Sequence, residues 1–185
     1  MRVDKVALRA AHDLGLAAWF GGYYMGAVAL NGVSREVDDP TQRARVANAG
    51  WFRWAAVVPV AVVAHLLGAG GLTRTQGCPG APSGLSRLRA GITGAAMLAT
   101  LESGRLGRQV VRHGDVPVAT AVQPIAATPE PVARAMRRLR VVQWLIPALT
   151  GFLLLLDALQ QEVDGGTRLL PRLTCRIARR VPFVR

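Results

Sequence analysis

Four ionisable side chains lie within apolar stretches of the sequence, where they could do chemistry that surface residues cannot. They are His12, Asp13, His65 and Asp157. Two imidazoles with one or two carboxylates can ligate a transition metal, relay protons or hold a haem between the two histidines. A charge exposed to lipid costs roughly 3 kcal/mol, so we expect these groups to face one another or a cavity. The ordinary alternative is that each histidine is an interfacial residue hydrogen-bonded to backbone or water.

Arg53 and Glu102 form a second candidate group, which we predict to be a structural ion pair. A carboxylate near an apolar region stays charged only beside a cation or hydrogen-bond donors. Arg105, three residues after Glu102, is a competing partner on the same helix. The sequence contains no phosphate-binding loop motif, no H-E-x-x-H and no G-x-S-x-G. We therefore assign no catalytic residue and predict that the protein is not an enzyme.

The two cysteines, Cys78 and Cys175, give little further chemistry. They lack the C-x-x-C spacing of common metal and redox sites. In a cellular interior we expect both to remain thiols.

Four apolar segments must position these residues, at 11–30, 51–70, about 88–106 and 141–159. About 20 mainly apolar residues are needed to cross a hydrocarbon core of roughly 30 Å. The chain is 51% hydrophobic and 18% charged, with a mean hydropathy of +0.27, and soluble domains carry about a quarter charged residues. We predict an all-α polytopic membrane protein, an antiparallel four-helix transmembrane bundle that occupies 1–185 as one domain.

Two of these segments have alternatives. The uninterrupted core of the third segment covers only 90–101, so it could be re-entrant or interfacial instead. A cleavable signal peptide ending near Ala27-Val28-Ala29 is the alternative for the first segment, but its apolar region is longer than such peptides normally have.

The net charge of +12 does not decide the orientation. Basic residues divide almost evenly between the two predicted sides of the membrane. The basic flank before the first segment and the basic tail at 160–185 favour cytoplasmic termini in a bacterial cytoplasmic membrane. Because the basic residues flank apolar segments, with no aromatic residues interleaved on one face, we expect no nucleic-acid partner.

Small residues follow one side of the first segment, where Gly15, Gly22 and Gly26 recur at helical spacing. Such a surface lets another helix approach closely. We predict helix packing there, either within the chain or in a homo-oligomer.

A basic amphipathic pattern precedes the fourth segment. Thr128-Pro129-Glu130 predicts a helix start, and the prolines before it favour extended backbone. Apolar residues from Val132 onward share one helical face, and arginines crowd the rest, namely Arg134, Arg137, Arg138 and Arg140. The pattern is typical of a juxtamembrane helix on anionic lipid that runs into the fourth span. A solvated basic face that anchors the helix end is the alternative.

A family resemblance rests on two runs of sequence, HDLGLAAWFGGYYMGAVALN at 12–31 and PEPVARAMRRLRVVQWLIPALTG at 129–151. The chain resembles small four-helix integral membrane proteins of high-GC bacteria, a family of unassigned function. The resemblance implies a polytopic fold in the bacterial inner membrane and implies no activity. Tyr23 and Tyr24 depart from the smaller residues expected after Gly22.

Three functions remain open at this point. The leading prediction is an accessory or scaffold subunit whose partners are the bilayer, anionic lipids and either further copies of the chain or a larger membrane complex. The second is a redox or metal-binding protein that holds a transition metal or haem with His12 and His65. The third is a small transporter with a polar intramembrane site. We assign no cofactor outside the second of these.

Overall fold

Helices form most of the described chain, which agrees with the predicted all-α class. The computed structural model describes residues 2–76 and 84–166. The elements in chain order are α1 (Arg2–Met25), a π-helical turn (Gly26–Leu30), α2 (Asn31–Val33), a 3-10 turn (Ser34–Glu36), α3 (Arg43–Ala55), α4 (Val57–Gln76), α5 (Gly84–Arg112), β1 (Val118–Thr120), β2 (Gln123–Pro124) and α6 (Glu130–Gly166).

The first two apolar segments lie in longer helical rods than predicted. From α1 through the π-helical turn into α2 the backbone stays right-handed, with φ −58° and ψ −44° at Met25 and φ −60° and ψ −42° at Leu30. α3 and α4 join in the same way through Ala56, at φ −73° and ψ −30°. The predicted segments 11–30 and 51–70 therefore begin later than the rods that contain them.

The long helices pack antiparallel to one another. α1 packs on α4 and also contacts α6, while α5 packs on α6. Gly15 of α1 lies against Ala61 of α4, whereas Gly26 lies against Trp51, which precedes Ala61 in the chain. The start of α5 likewise meets the end of α6, where Arg89 pairs with Asp157.

Two helical rods among the described residues are long and apolar enough to cross a membrane, Arg43–Arg74 and Glu130–Gln161. They contain the second and fourth predicted spans. The first and third predicted spans, in α1 and α5, do not meet the same criterion. Charged residues such as Asp13 and Glu102, with arginines near both, lower the hydropathy of these two helices. Composition therefore supports two of the four predicted spans.

The segment between α5 and α6 folds into a small hairpin that closes one end of the helices. β1 pairs with β2 antiparallel, in keeping with the extended backbone that the prolines favour. The Val118 N–H donates to the Pro40 carbonyl (3.1 Å), and the Ala121 N–H donates to Ser34 Oγ (3.0 Å). The hairpin and the loop before α3 therefore lie at the same end of the molecule.

Helix α6 begins at Glu130, as the Thr128-Pro129-Glu130 pattern predicts. The Thr128 hydroxyl, however, donates to the Pro117 carbonyl (2.6 Å) instead of capping the helix. The carbonyl of Pro129 accepts the first helical hydrogen bonds, from the N–H groups of Val132 and Ala133. The threonine therefore anchors the hairpin to the helix start.

The apolar face at the start of α6 is buried inside the chain. It packs with apolar residues of α3, α5 and the hairpin in one cluster, which includes Ala47, Leu106, Val110, Val118, Val122, Val132, Ala135, Met136 and Leu139. The prediction that lipid covers this face is wrong, because α3, α5 and the hairpin cover it. The same helix continues without a break through the predicted fourth span to Gly166, as expected.

The glycine side of α1 is also filled within the chain. A Cβ on Gly15 would lie 2.5 Å from the Ala61 carbonyl oxygen and 2.6 Å from the His65 nitrogen. The indole rings of Trp54 and Trp51 occupy the space beside Gly22 and Gly26. Close packing on this side is therefore observed within the chain, with α3 and α4 as the neighbours of these glycines.

We expect Gly15→Ala to destabilise the fold by about 1–3 kcal/mol, because the new methyl group meets backbone atoms that cannot rotate away. Gly21→Ala is the matched control, since a Cβ at Gly21 meets nothing within 4 Å. The control should stabilise α1 by about 0.5–1 kcal/mol. Unfolding of the purified protein in mixed micelles, followed by circular dichroism, measures both. Equal stabilities for the two variants would contradict the close approach of α1 and α4.

Candidate functional site

The structure brings His12, His65 and Asp157 into one cluster, and Asp13 lies at its edge. The ring centroids of His12 and His65 lie 4.5 Å apart. His12 Nδ1 lies 2.8 Å from Asp13 Oδ1, and His12 Nε2 lies 3.9 Å from Asp157 Oδ2. The cluster therefore joins α1, α4 and α6 at the end of the molecule opposite the hairpin.

Close helix packing is what places the two histidines together. A Cβ on Gly68 of α4 would lie 2.5 Å from both the His12 nitrogen and the Leu8 carbonyl oxygen. Gly15, one turn after His12, makes the same kind of approach to the backbone at His65. The backbones of α1 and α4 are thus nearly in contact on both sides of the histidine pair.

Arg89 and Gln160 complete the cluster and were not predicted from the sequence. The Arg89 guanidinium donates to the Asp157 carboxylate and to the Gln160 side-chain oxygen. The Asp157 side chain is only 14% exposed, so this arginine supplies the opposite charge that a carboxylate in such a place requires. Arg89 lies at the start of the third apolar segment, and Asp157 lies near the end of the fourth. Because these two segments run antiparallel, the sequence was enough to predict that the two residues lie close together.

His65 is the most buried member of the cluster, at 4% exposure. Its Nδ1 atom has no hydrogen-bond partner among the described residues. Trp19 packs beside the ring, with centroids 6.3 Å apart. A buried ring nitrogen without a partner costs free energy unless a bound molecule or water completes it.

A cavity of about 480 Å³ opens beside this cluster. Its charged lining consists of two arginines and two aspartates, and both histidines also line it: Arg9, Arg89, Asp13, Asp157, His12 and His65. Apolar side chains such as Met97 and Leu153 form part of the wall. The volume lies in the range of small-molecule sites, and the fixed charges of the lining balance.

The ring geometry argues against the haem alternative. Axial histidines approach the iron from opposite faces of a porphyrin, whereas the rings of His12 and His65 contact each other side by side at an interplanar angle of 38°. Across the described part of the chain, no group of three or more His, Cys, Asp or Glu side chains is arranged to hold a metal ion. Cys78 and Cys175 lie outside the described residues.

The predicted ion pair between Arg53 and Glu102 does not form. The Glu102 carboxylate instead binds Arg105, with Nε at 2.6 Å and Nη2 at 2.7 Å. The two residues lie one helical turn apart on α5, so they meet without tertiary packing. Arg53 is exposed on a different helix.

A buried polar network at the opposite end was also missed. The Asn31 amide donates to the Gln143 side-chain oxygen (2.7 Å), and the Trp51 indole N–H donates to Asn31 Oδ1 (3.0 Å). The network links the first helical rod, α3 and α6. The only sequence signal for this network is the position of its two amides, because Asn31 directly follows the first apolar segment and Gln143 lies within the fourth.

The predicted lipid-facing arginines all lie on exposed positions of α6, namely Arg134, Arg137, Arg138 and Arg140. Two of them contact Glu130, with Arg137 Nη2 at 2.9 Å and Arg134 Nε at 3.7 Å. Arg138 and Arg140 make no ion pair within the described chain.

Comparison with models of known protein families, with curated proteins and with solved structures finds no match for this chain. The resemblance to small membrane proteins of high-GC bacteria therefore stays a prediction. Function has to be argued from the residues of the site and their geometry.

We expect Asp157→Asn to destabilise the protein by about 3 kcal/mol, because it removes the carboxylate from a partly buried guanidinium. Replacing both partners, with Arg89→Met and Asp157→Leu, should recover most of this loss. Glu102→Gln is the matched control, since it breaks an exposed pair and should leave stability nearly unchanged. Denaturation of the purified variants measures the effects. If Asp157→Asn and Glu102→Gln lower the free energy of unfolding by similar amounts, the Arg89–Asp157 pair contributes no more to stability than the exposed pair.

Proposed function

We propose that this chain is an integral membrane protein that crosses the bilayer four times, as an antiparallel four-helix bundle, and binds a small polar solute among its helices. The observation that carries the proposal is the cavity lined by His12, His65, Arg89 and Asp157, in a protein that exposes many large apolar side chains. Binding of this kind is the first step of solute transport, so the cavity supports the transporter alternative.

Exposed apolar side chains support the membrane location. In the two most apolar rods only 22% and 33% of the apolar window is buried, whereas a core helix of a soluble protein is mostly buried. Large exposed aliphatic side chains occur on all four long rods, among them Leu14, Val28, Val60, Leu67, Leu98, Leu101, Val141, Leu155 and Leu159. Water would disfavour so large an apolar surface, and lipid favours it.

Loop contacts support four crossings over two. With crossings by the two most apolar rods alone, Pro40 and Val118 would lie on opposite sides of a hydrocarbon core of roughly 30 Å. Their backbone groups are hydrogen-bonded at 3.1 Å. This contact supports a crossing by α5, and the packing of α1 along α4 supports a crossing by α1. Arg9 and Asp13 of α1 and Arg89 of α5 line the cavity, which gives these charges polar surroundings.

The cavity lining favours a solute that carries both a positive and a negative group. The fixed charges of the lining balance, and the partnerless Nδ1 of His65 offers a further hydrogen bond. A free amino acid has this charge distribution and fits a cavity of this size. The accessory-subunit prediction has less support, because α3 and α4 already fill the glycine surface that a partner would use.

The orientation is part of the proposal. The basic flank before the first span favours termini on the cytoplasmic side of a bacterial membrane. The hairpin and the loop before α3 then face the outside, and the cavity lies at the cytoplasmic end.

The topology can be tested by single-cysteine labelling in a background with Cys78→Ser and Cys175→Ser. Asp38→Cys and Asp115→Cys place probes at exposed sites on the two loops. With four crossings both cysteines react from the same side of the membrane, and with two crossings they react from opposite sides. A membrane-impermeant maleimide on intact and permeabilised cells gives the readout. Labelling from opposite sides would overturn the four-crossing proposal.

The solute can be sought by thermal shift of the purified protein with each of the 20 common amino acids. A ligand at 100 times its Kd adds about 2.7 kcal/mol of stability. We therefore expect at least one amino acid to raise the Tm by several degrees.

His65→Leu is the informative variant, because it keeps the buried volume while removing the ring nitrogens. It should keep the Tm of the free protein and lose the shift, and Glu102→Gln, far from the cavity, should keep the shift. If no amino acid raises the Tm, the proposed solute class is wrong. A full shift in His65→Leu would remove His65 from the site.

A further inference from the structure

A second polar feature lies at the hairpin end of the molecule, between α5 and α6. Three arginines of α5 follow one helical stripe, at Arg105, Arg108 and Arg112. The same stripe continues towards the middle of the molecule as Leu98 and Leu101, each 68% exposed. One exposed face of α5 therefore carries apolar side chains first and basic side chains after them.

Helix α6 presents a matching stripe. Arg134 and Arg138 share a helical face with Val141 and Leu145, and all four are exposed. Because the two helices run antiparallel, the basic ends of the stripes meet and so do the apolar ends. Two adjoining cavities, of about 260 and 520 Å³, lie along the basic ends and share Arg105 and Gln109 in their lining.

The charge in this groove is only partly neutralised. Glu102 binds Arg105, and Glu130 lies near Arg134. Arg108, Arg112 and Arg138 have no salt-bridge partner in the described part of the chain. Arg108 and Arg112 line one of the two adjoining cavities, and Arg138 lines the other. Three guanidinium groups without a salt bridge therefore border the same groove.

We propose that this groove between α5 and α6 binds an anionic phospholipid. The lipid phosphate accepts hydrogen bonds from Arg108, Arg112 and Arg138, and an acyl chain lies along Leu98, Leu101 and Val141. Guanidinium groups match phosphate oxygens in geometry and charge. Basic pockets between membrane helices are suited to lipid head groups.

The apolar stripe distinguishes a lipid from a free phosphate. A phosphate ion would use only the arginines, whereas a phospholipid also covers the leucines that continue the same stripe. The site differs from the predicted lipid-facing arginines of α6, because two of its three arginines lie on α5 and because Arg137 and Arg140 lie outside it. The proposal rests on the membrane location given above and is independent of the solute in the cavity.

Binding can be measured on the purified full chain in detergent, by native mass spectrometry and by the Tm. The probes are phosphatidylglycerol, phosphatidylcholine and inorganic phosphate. We expect phosphatidylglycerol to bind and to raise the Tm, with little effect from the other two. Arg108→Gln with Arg138→Gln should weaken phosphatidylglycerol binding on the order of 20-fold, about fivefold for each arginine.

Arg137→Gln with Arg140→Gln is the matched control, because it removes the same charge from α6 outside the groove. The control should keep nearly full affinity, and circular dichroism should show unchanged helicity in both variants. Equal weakening in the two double variants would overturn the groove as a site. An equal rise in the Tm with phosphatidylcholine or with inorganic phosphate would overturn an anionic lipid as the occupant of the groove. If cysteine labelling shows four crossings and phosphatidylglycerol still does not bind, this inference is refuted while the four-crossing proposal stands.

Discussion

The near contact of two helix backbones, α1 and α4, is the constraint on which the candidate site depends. At Gly15 and Gly68 a single methyl group would collide with backbone atoms of the opposite helix. This approach brings the rings of His12 and His65 to a centroid distance of 4.5 Å. Helices separated by side chains lie about 8–10 Å apart. Glycine at these positions therefore places two imidazoles in contact.

Charge neutralisation links this helix pair to α5 and α6. Asp157 lies between Arg89 and His12, so one carboxylate connects three helices. An unpaired charge would be costly beside the apolar walls of the cavity. At the opposite end Asn31, Gln143 and Trp51 satisfy one another. Polar groups thus hold both ends of the helices, while apolar packing fills the middle.

Arginines serve different purposes according to where each meets the apolar surface. Arg89 pairs with the half-buried carboxylate of Asp157, and Arg105 pairs with Glu102 along its own helix. Arg108 and Arg138 have no salt-bridge partner in the described chain and border the groove between α5 and α6. The net positive charge of the sequence therefore does not show which arginines pair with carboxylates and which have no such partner.

The order and length of the apolar segments were enough to predict the helical class and to place His12, His65 and Asp157 at one end, because antiparallel segments must alternate in direction. The sequence could not distinguish between Arg53 and Arg105 as the partner of Glu102. It also left open what covers the apolar face after Glu130, because a hydrophobic pattern shows that a face is buried without showing what buries it. Tertiary structure decided both: it leaves Arg53 exposed on α3 without a salt bridge to Glu102, and it packs the hairpin against α6. It also decided that the glycines of α1 serve α3 and α4 within the chain, because close approach depends on which helix lies opposite.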